Sequence, residues 1–258
     1  GGSLDDIRVY NRALSAAEVL RLYQIGATSK IAKTLQGRDS LTSGLVGWWT
    51  FDGPDTLTNI ADSSGQGNNG SLILGASGNT STTTAPGKLG QALEFDGVDD
   101  YVTIPYNASL RPSSAITYAF WVKKGTVQNN IAPRVLNTGN DAKRIYYQTQ
   151  TTNIMAFMSK RTGYAIGTSQ QIGTTPINVW THVAVTYDGS QIVTYINSAV
   201  TGTTATSTDF ISDTSAELIG NDNGASPSRG FNGLIDDVRV YSRALSATEV
   251  ERLYNLGR

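Results

Sequence analysis

The sequence predicts an all-β sandwich of two antiparallel sheets, closed by one short C-terminal helix. Three observations carry this. Ten short segments have the apolar alternation of strands. Clusters of Gly, Asn, Asp and Ser separate them, such as DSSGQGNNG (62–70), NTGNDAK (137–143) and NDNGASPSRG (221–230). Helix signals are confined to one unit, which stands at both ends of the chain.

The strands follow in order. LVGWWTFD (45–52) places Trp48 and Trp49 on opposite faces, so one of them belongs to the core. ALEFDG (92–97) and YVTIP (101–105) come next. AITYAFWVKK (115–124) carries Trp121, expected in the core. RIYYQTQ (144–150) splits Tyr146 and Tyr147 between faces, and NIMAFMSK (153–160) follows. VWTHVAVTYDG (179–189), with Trp180 also expected inside, and QIVTYINSAV (191–200) form a hairpin about Asp188 and Gly189. ELIG (217–220) and LIDDVRVYS (234–242) complete the set. Residues 27–44 are polar and without period, and read as a linker before a domain spanning 45–258.

The terminal unit is duplicated. Residues 4–26 and 235–257 align without a gap, and 16 of 23 positions are identical. LDDIRVY reads as a strand. Ser15 with Glu18, and Ser246 with Glu249, form capping boxes, in which the hydroxyl and the carboxylate each accept the other residue's backbone N–H. Leu14 with Val19, and Leu245 with Val250, stand at hydrophobic-staple spacing. A helix of about two turns follows, and Gly26 and Gly257 are expected to stop it in the left-handed conformation.

Bulk properties exclude several functions. The net charge is −1, with no basic patch for nucleic acid. No apolar run approaches the roughly 18 residues of a membrane span, so no membrane insertion is expected in this segment. Cysteine is absent, which rules out disulfides and thiolate metal sites. The wealth of Gly, Ser, Thr, Asn and Tyr fits a secreted or cell-surface β-protein.

Six blocks occur in one order: GLVGWWTFDG, ADSSGQGNNGSL, GKLGQALEFDGVDDYVTIP, AITYAFWVKK, WTHVAVTYDG and NGLIDDVRVYSRALSATEVERLY. Together they resemble the laminin-G-like, concanavalin A-like jelly roll of large bacterial surface proteins, over residues 45–257. The resemblance implies two curved sheets whose last strand pairs beside the first. On that plan residues 1–26 have two readings. They are the strand and helix of a preceding repeat, or a contact segment that inserts at the open edge of an identical chain and builds a filament. The residues that would make the contact are Leu4, Ile7, Val9, Tyr10, Val19, Leu22 and Tyr23.

The same jelly roll hosts laminarinases, whose catalytic strand reads Glu-x-Asp-x-x-Glu. Here Glu94, Asp96 and Asp99 come close, but the last carboxyl is one methylene short. The expectation is therefore a non-catalytic module for adhesion, for binding carbohydrate or a surface protein, or for spacing, whose partners include neighbouring repeats. His182, the only histidine, has no nucleophile motif nearby and is expected to be structural, holding a backbone carbonyl. No aromatic platform for sugar stacking is evident.

Calcium is the expected cofactor, because hard cations take carboxylate, amide and carbonyl oxygens. The resemblance implies two places. Asp236 matches the aspartate that supports a structural calcium in laminarinase-type jelly rolls, with partners near Asp52 and Gly53. The loop of Asn221, Asp222 and Asn223, joined by Asn140 and Asp141, matches the calcium loops of pentraxins. The alternative is that these residues only close turns. In DSSGQGNNG, Asp62 and Asn69 are expected to cap backbone groups while the glycines take positive φ. Asn69, Asn79 and Asn107 stand in glycosylation sequons.

Overall fold

A computed structural model describes residues 12–15, 18–19, 41–53, 59–74, 84–126, 132–138, 142–149, 153–159, 168–206, 213–222 and 229–258. The chain divides into two compact units, residues 1–43 and 44–258.

In the second unit the strands are β1 (Leu45–Trp49), β2 (Ser71–Ile73), β3 (Thr84–Pro86), β4 (Gln91–Asp96), β5 (Tyr101–Ile104), β6 (Ile116–Lys124), β7 (Arg134–Thr138) and β8 (Lys143–Tyr147). They continue with β9 (Ile154–Ser159), β10 (Thr168–Thr174), β11 (Thr181–Tyr187), β12 (Gln191–Ile196), β13 (Ala199–Ala205), β14 (Glu217–Ile219) and β15 (Asn232–Tyr241), and end in helix α1 (Ala247–Leu256). Among the described residues these form an eight-stranded sheet, β13-β12-β11-β6-β15-β4-β3 with β1 beside β15, and a seven-stranded sheet, β10-β9-β8-β7-β14-β5-β2. Each pairing is antiparallel, and the last strand does pair with the first.

The core lies between the sheets. Tyr118, Phe120, Val122, Val183, Val185, Val238 and Val240 point inward from the larger sheet. Val102, Ile104, Ile145, Tyr147, Phe157 and Ile219 meet them from the smaller one. Trp49 is fully buried in this core, while Trp48 faces outward beneath the Arg239 guanidinium, 4.3 Å from its ring. Tyr147 is inside and Tyr146 is not, as alternation requires. Trp121 is buried as expected, but outside this core and under α1; Trp180 is only half-buried.

A bulge makes β15 serve both faces. Register shifts between Asp236 and Arg239, where Asp237 takes φ 49°. This lets Ile235, Val238 and Val240 all enter the core. A left-handed non-glycine residue costs about 1–2 kcal/mol. Bonds from Trp48 Nε1 (2.6 Å) and Arg239 Nη2 (3.0 Å) to Asp237 Oδ1 offset that cost.

On the outer face Asp236, Trp121 and His182 form a row across β15, β6 and β11. Helix α1 covers its far end. Tyr254 stacks on Trp121 at 5.7 Å, and Leu245 N–H bonds Thr117 Oγ1 at 2.9 Å. The capping box is present, as expected: Ser246 N–H donates to Glu249 at 2.9 Å and Glu249 N–H to Ser246 Oγ at 3.3 Å. The helix stop differs from expectation. Gly257 has φ −101°, and glycine is needed there because a Cβ would lie 2.6 Å from the Trp121 ring.

In the first unit the cap repeats itself. Arg12 and Glu18 bond at 2.5 Å, Ser15 N–H donates to Glu18 at 2.8 Å, and Glu18 N–H returns to Ser15 Oγ at 3.4 Å. Val19 is 54% exposed, whereas its counterpart Val250 is fully buried. Leu4, Ile7, Val9, Tyr10, Leu22 and Tyr23 lie outside the described residues.

Candidate functional site

The two residues expected at the structural calcium site come together on one turn. Asp236 is fully buried, and its Oδ2 accepts from Lys88 N–H (2.7 Å) and Leu89 N–H (2.8 Å). Asp52 Oδ1 accepts from Gln91 N–H at 2.7 Å, and Gln91 Oε1 accepts from Gly53 N–H at 3.2 Å. The turn between them is glycine-dependent. A Cβ at Gly87 would sit 2.6 Å from Asp236 Oδ2, and one at Gly90 would sit 1.9 Å from Asp52 Oδ1. Asp236 Oδ1 is buried without a hydrogen bond. Burial pushes the Asp236 carboxyl up to about 8, and the neighbouring charges of Asp237 and Asp52 act in the same direction. A buried carboxylate with one unsatisfied oxygen and two acidic neighbours fits a hard cation held through that oxygen.

The second expected site is partly within view. Asp222 Oδ2 accepts from Arg229 Nη1 at 2.8 Å, and Asp222 N–H donates to Asn221 Oδ1 at 2.8 Å. Asn221 Nδ2 reaches the Val98 carbonyl at 3.3 Å, so this loop lies against the β4–β5 turn. Asn223, Asn140 and Asp141 lie outside the described residues.

That β4–β5 turn is a feature that sequence reading passed over. Carboxylate oxygens of Asp96, Asp99 and Asp100 lie within 4.8 Å of one another. Three aspartates in the five residues DGVDD were the available signal; they were read only against a catalytic motif. Asp96 Oδ1 also caps the turn, accepting from Val98 N–H at 2.7 Å.

Beside the turn is a cleft of about 270 Å³. Glu94 and Asp96 line it from one face of β4, Asp100 from the turn, Lys123 from β6, Asn178 from a loop and Asn232 from the start of β15. Glycines let three chain segments converge there. A Cβ at Gly125 would meet Asn232 Oδ1 at 2.2 Å, and one at Gly233 (φ +143°) would meet the Lys123 carbonyl at 2.4 Å. Asn232 Nδ2 bonds the Asp96 carbonyl at 2.8 Å, and Asn178 N–H bonds the Lys124 carbonyl at 2.8 Å. Carboxylates, carboxamides and an ammonium on a fixed frame suit a polyhydroxylated ligand.

The other singled-out groups are structural. His182 is 2% exposed and packs on Trp121 (5.2 Å) and Tyr254 (6.2 Å). Its Nδ1 makes no hydrogen bond, so this nitrogen does not hold the carbonyl contact expected of it. Asp62 caps Trp48 and Ser64 N–H through Oδ1 (both 2.9 Å) and Asn68 N–H through Oδ2 (2.9 Å). Asn69 Oδ1 accepts from Asp62 N–H at 2.8 Å, and Gly65 and Gly67 take φ +84° and +75°. DSSGQGNNG is thus the expected turn.

A family model described as the concanavalin A-like lectin/glucanases superfamily matches residues 96–251. No curated protein matches the chain. Domain 4 of AbnA, an extracellular arabinanase from Geobacillus stearothermophilus solved with arabinotriose, is 20% identical with a TM-score of 0.62. That match covers 84% of this chain and 99% of that one. The binding domain of Paraclostridial Mosquitocidal Protein 1 is 19% identical (TM-score 0.64), and that of botulinum neurotoxin serotype D is 14% identical (TM-score 0.63). Each covers 84% of this chain, which in turn spans 53% of their length. At these identities the likeness is one of fold.

Proposed function

Because this chain belongs to the concanavalin A-like lectin/glucanases superfamily, we propose that it is a non-catalytic extracellular module that binds carbohydrate in the cleft beside β4. The cleft itself carries the reading: six polar side chains converge on a cavity whose walls glycine-dependent contacts hold in place. AbnA domain 4, solved with arabinotriose, lends the ligand class support, and the toxin binding domains support a binding role. Calcium at Asp236, with Asp52 near it, would anchor the turn behind β4. The Asp222 loop and the β4–β5 aspartates offer a second place for the same ion. The test is a glycan panel on the full chain with and without Glu94→Gln and Lys123→Ala, both lining the cleft. Binding that is lost in these variants supports the reading. Binding that survives both moves the ligand elsewhere. Hydrolysis of a β-glucan that disappears in Glu94→Gln replaces a binding module with an enzyme.

A second reading has its own observation. The described face of the duplicated helix is exposed at Val19, while the same residue of α1 is buried. Residues 3–26 would then dock on an identical chain or a neighbouring repeat. Light scattering of the full chain and of a version lacking residues 1–26 decides it. Assembly that depends on those residues supports docking, and two monomers reject it.

A further inference from the structure

One end of the sandwich interior holds charge. Lys143 shares the inward parity of Ile145 and Tyr147 on β8, and Glu217 shares that of Ile219 on β14. Thr138 stands between them: it pairs with Glu217 across β7, and its Oγ1 accepts from Lys143 N–H at 2.9 Å. Asp213 precedes β14, and Arg111 follows the 3-10 turn Ala108–Leu110. Arg111 Nη1 donates to Glu217 Oε2 at 2.5 Å. Arg111 Nε lies 3.5 Å from Asp213 Oδ2, and Lys143 Nζ lies 4.0 Å from the same oxygen. None of the four charged side chains is more than 3% exposed.

As an ion network this is a poor solution. Burying charge repays its desolvation only when the geometry is close and the remaining lone pairs are satisfied. Here Asp213 Oδ2 and Arg111 Nε make no hydrogen bond, and neither does the Tyr118 hydroxyl from the opposite sheet. An amine and a carboxyl held together in a dry site, with a second carboxyl beside them, have another outcome.

We propose that Lys143 and Asp213 condense into an intramolecular isopeptide cross-link, with Glu217 as the proton carrier. The ammonium first passes a proton to the Asp213 carboxylate, leaving a neutral amine and a neutral acid. The nitrogen lone pair attacks Cγ. Glu217 accepts a proton from that nitrogen and delivers it to the departing hydroxyl. One C–N bond forms, one C–O bond breaks and one water leaves. No oxidant, reductant or co-reactant is needed. Arg111 Nε, 3.5 Å from Asp213 Oδ2, sets a fixed positive charge beside the carboxyl under attack, where negative charge develops. Burial lowers the Lys143 ammonium and raises the Glu217 carboxyl, which favours the free amine and strengthens the base. Enforced proximity supplies the rest: oriented intramolecular pairs reach effective concentrations of about 10⁵–10⁸ M.

The readout is the intact mass of the full chain. The expected result is a mass one water below that of the sequence, and a protease digest containing one branched peptide that joins Lys143 to Asp213. Lys143→Arg and Asp213→Ala should return to the full sequence mass, and Glu217→Gln should form the bond far more slowly. A wild-type chain at full sequence mass after prolonged incubation at neutral pH overturns the proposal. So does a water loss that persists in Lys143→Arg, because succinimides at Asp52-Gly53, Asp96-Gly97 or Asp188-Gly189 would give that. A Glu217→Gln chain that reacts as fast as wild type overturns the role of Glu217. Should the variants fail to fold, the wild-type mass and branched peptide still decide.

Discussion

Acid should remove the share of this module's stability that its single histidine carries. His182 lies under α1, against both the Trp121 and Tyr254 rings. Burial holds its imidazole down to about 3 from an ordinary value of 6.5, and the Arg239 guanidinium acts in the same direction. The folded chain therefore keeps it neutral while the unfolded chain takes up a proton. Stability is fully present above 6.5 and falls with pH until the folded value is reached. Each unit is worth about 1.4 kcal/mol, so about 2 kcal/mol is lost by pH ~5 and about 4 by pH ~3. Urea titrations of wild type and His182→Gln, at pH ~7.5 and pH ~5, give the measurement. The packing cost of the glutamine is the same at both pH values and cancels. Because no other histidine exists, the difference between the two proteins in this window belongs to His182. The advantage of the wild type should shrink by about 2 kcal/mol. Parallel curves would refute the reasoning, because they would mean that the imidazole charges in place under α1.

Two further outcomes follow from close packing and buried charge. Gly220→Ala should destabilise by about 2–4 kcal/mol in chemical denaturation, from overpacking and a left-handed backbone combined: its Cβ would lie 2.2 Å from the Phe95 ring, and φ is +91°. Calcium should raise the melting temperature of the wild type and chelator should lower it, while Asp236→Asn, which keeps an oxygen for Lys88 and Leu89 N–H, should show a clearly smaller shift, with any remainder belonging to the second place; an equal calcium shift in both proteins removes Asp236 from the site.

Central strands were legible and edge strands were not. β6, β11, β12 and β15 alternate because one face must enter the core. β10, TSQQIGT, and β13, AVTGTTA, are edges of their sheets and little of their side-chain surface is core. The segment 191–200 read as one strand is a hairpin. Asn197 and Ser198 take φ +49° and +68°, the pattern of a two-residue turn without the usual glycine. β7 was missed because Arg134, though 2% exposed, reads as surface. The same habit hid the charged end of the core: KRIYY places Lys143 in step with Ile145 and Tyr147, which is the signal that a lysine points inward. That Asp52 and Asp236 meet on one turn was legible because the resemblance joined the ends of the domain, whereas the cleft needed three separate segments brought together in space.

The duplicated unit gains a physical meaning from the outer face of the larger sheet. What α1 meets there is specific: a tryptophan that admits only glycine at 257, a threonine hydroxyl that accepts Leu245 N–H, and a buried histidine. Each residue of α1 used in that docking has an identical partner in the first unit: Leu14 for Leu245, Ser15 for Ser246, Glu18 for Glu249, Tyr23 for Tyr254 and Gly26 for Gly257. The first copy already carries the same cap and arginine clamp, Arg12 on Glu18 standing for Arg243 on Glu249. A segment with the same docking residues is matched in sequence to the same surface on a second copy of the domain. The slot beside β1 is filled by β15 within the domain, with Leu45 opposite Tyr241 and Trp49 opposite Val238. Docking of the first copy on a second molecule therefore requires a sheet whose own last strand and helix have been displaced, or an edge such as β13, which ends its sheet among the described residues. The histidine links the two cases. Acid that charges His182 weakens the hold of α1 on its own sheet, and any exchange of one copy for the other should become faster in the pH range where the wild type loses stability and His182→Gln does not.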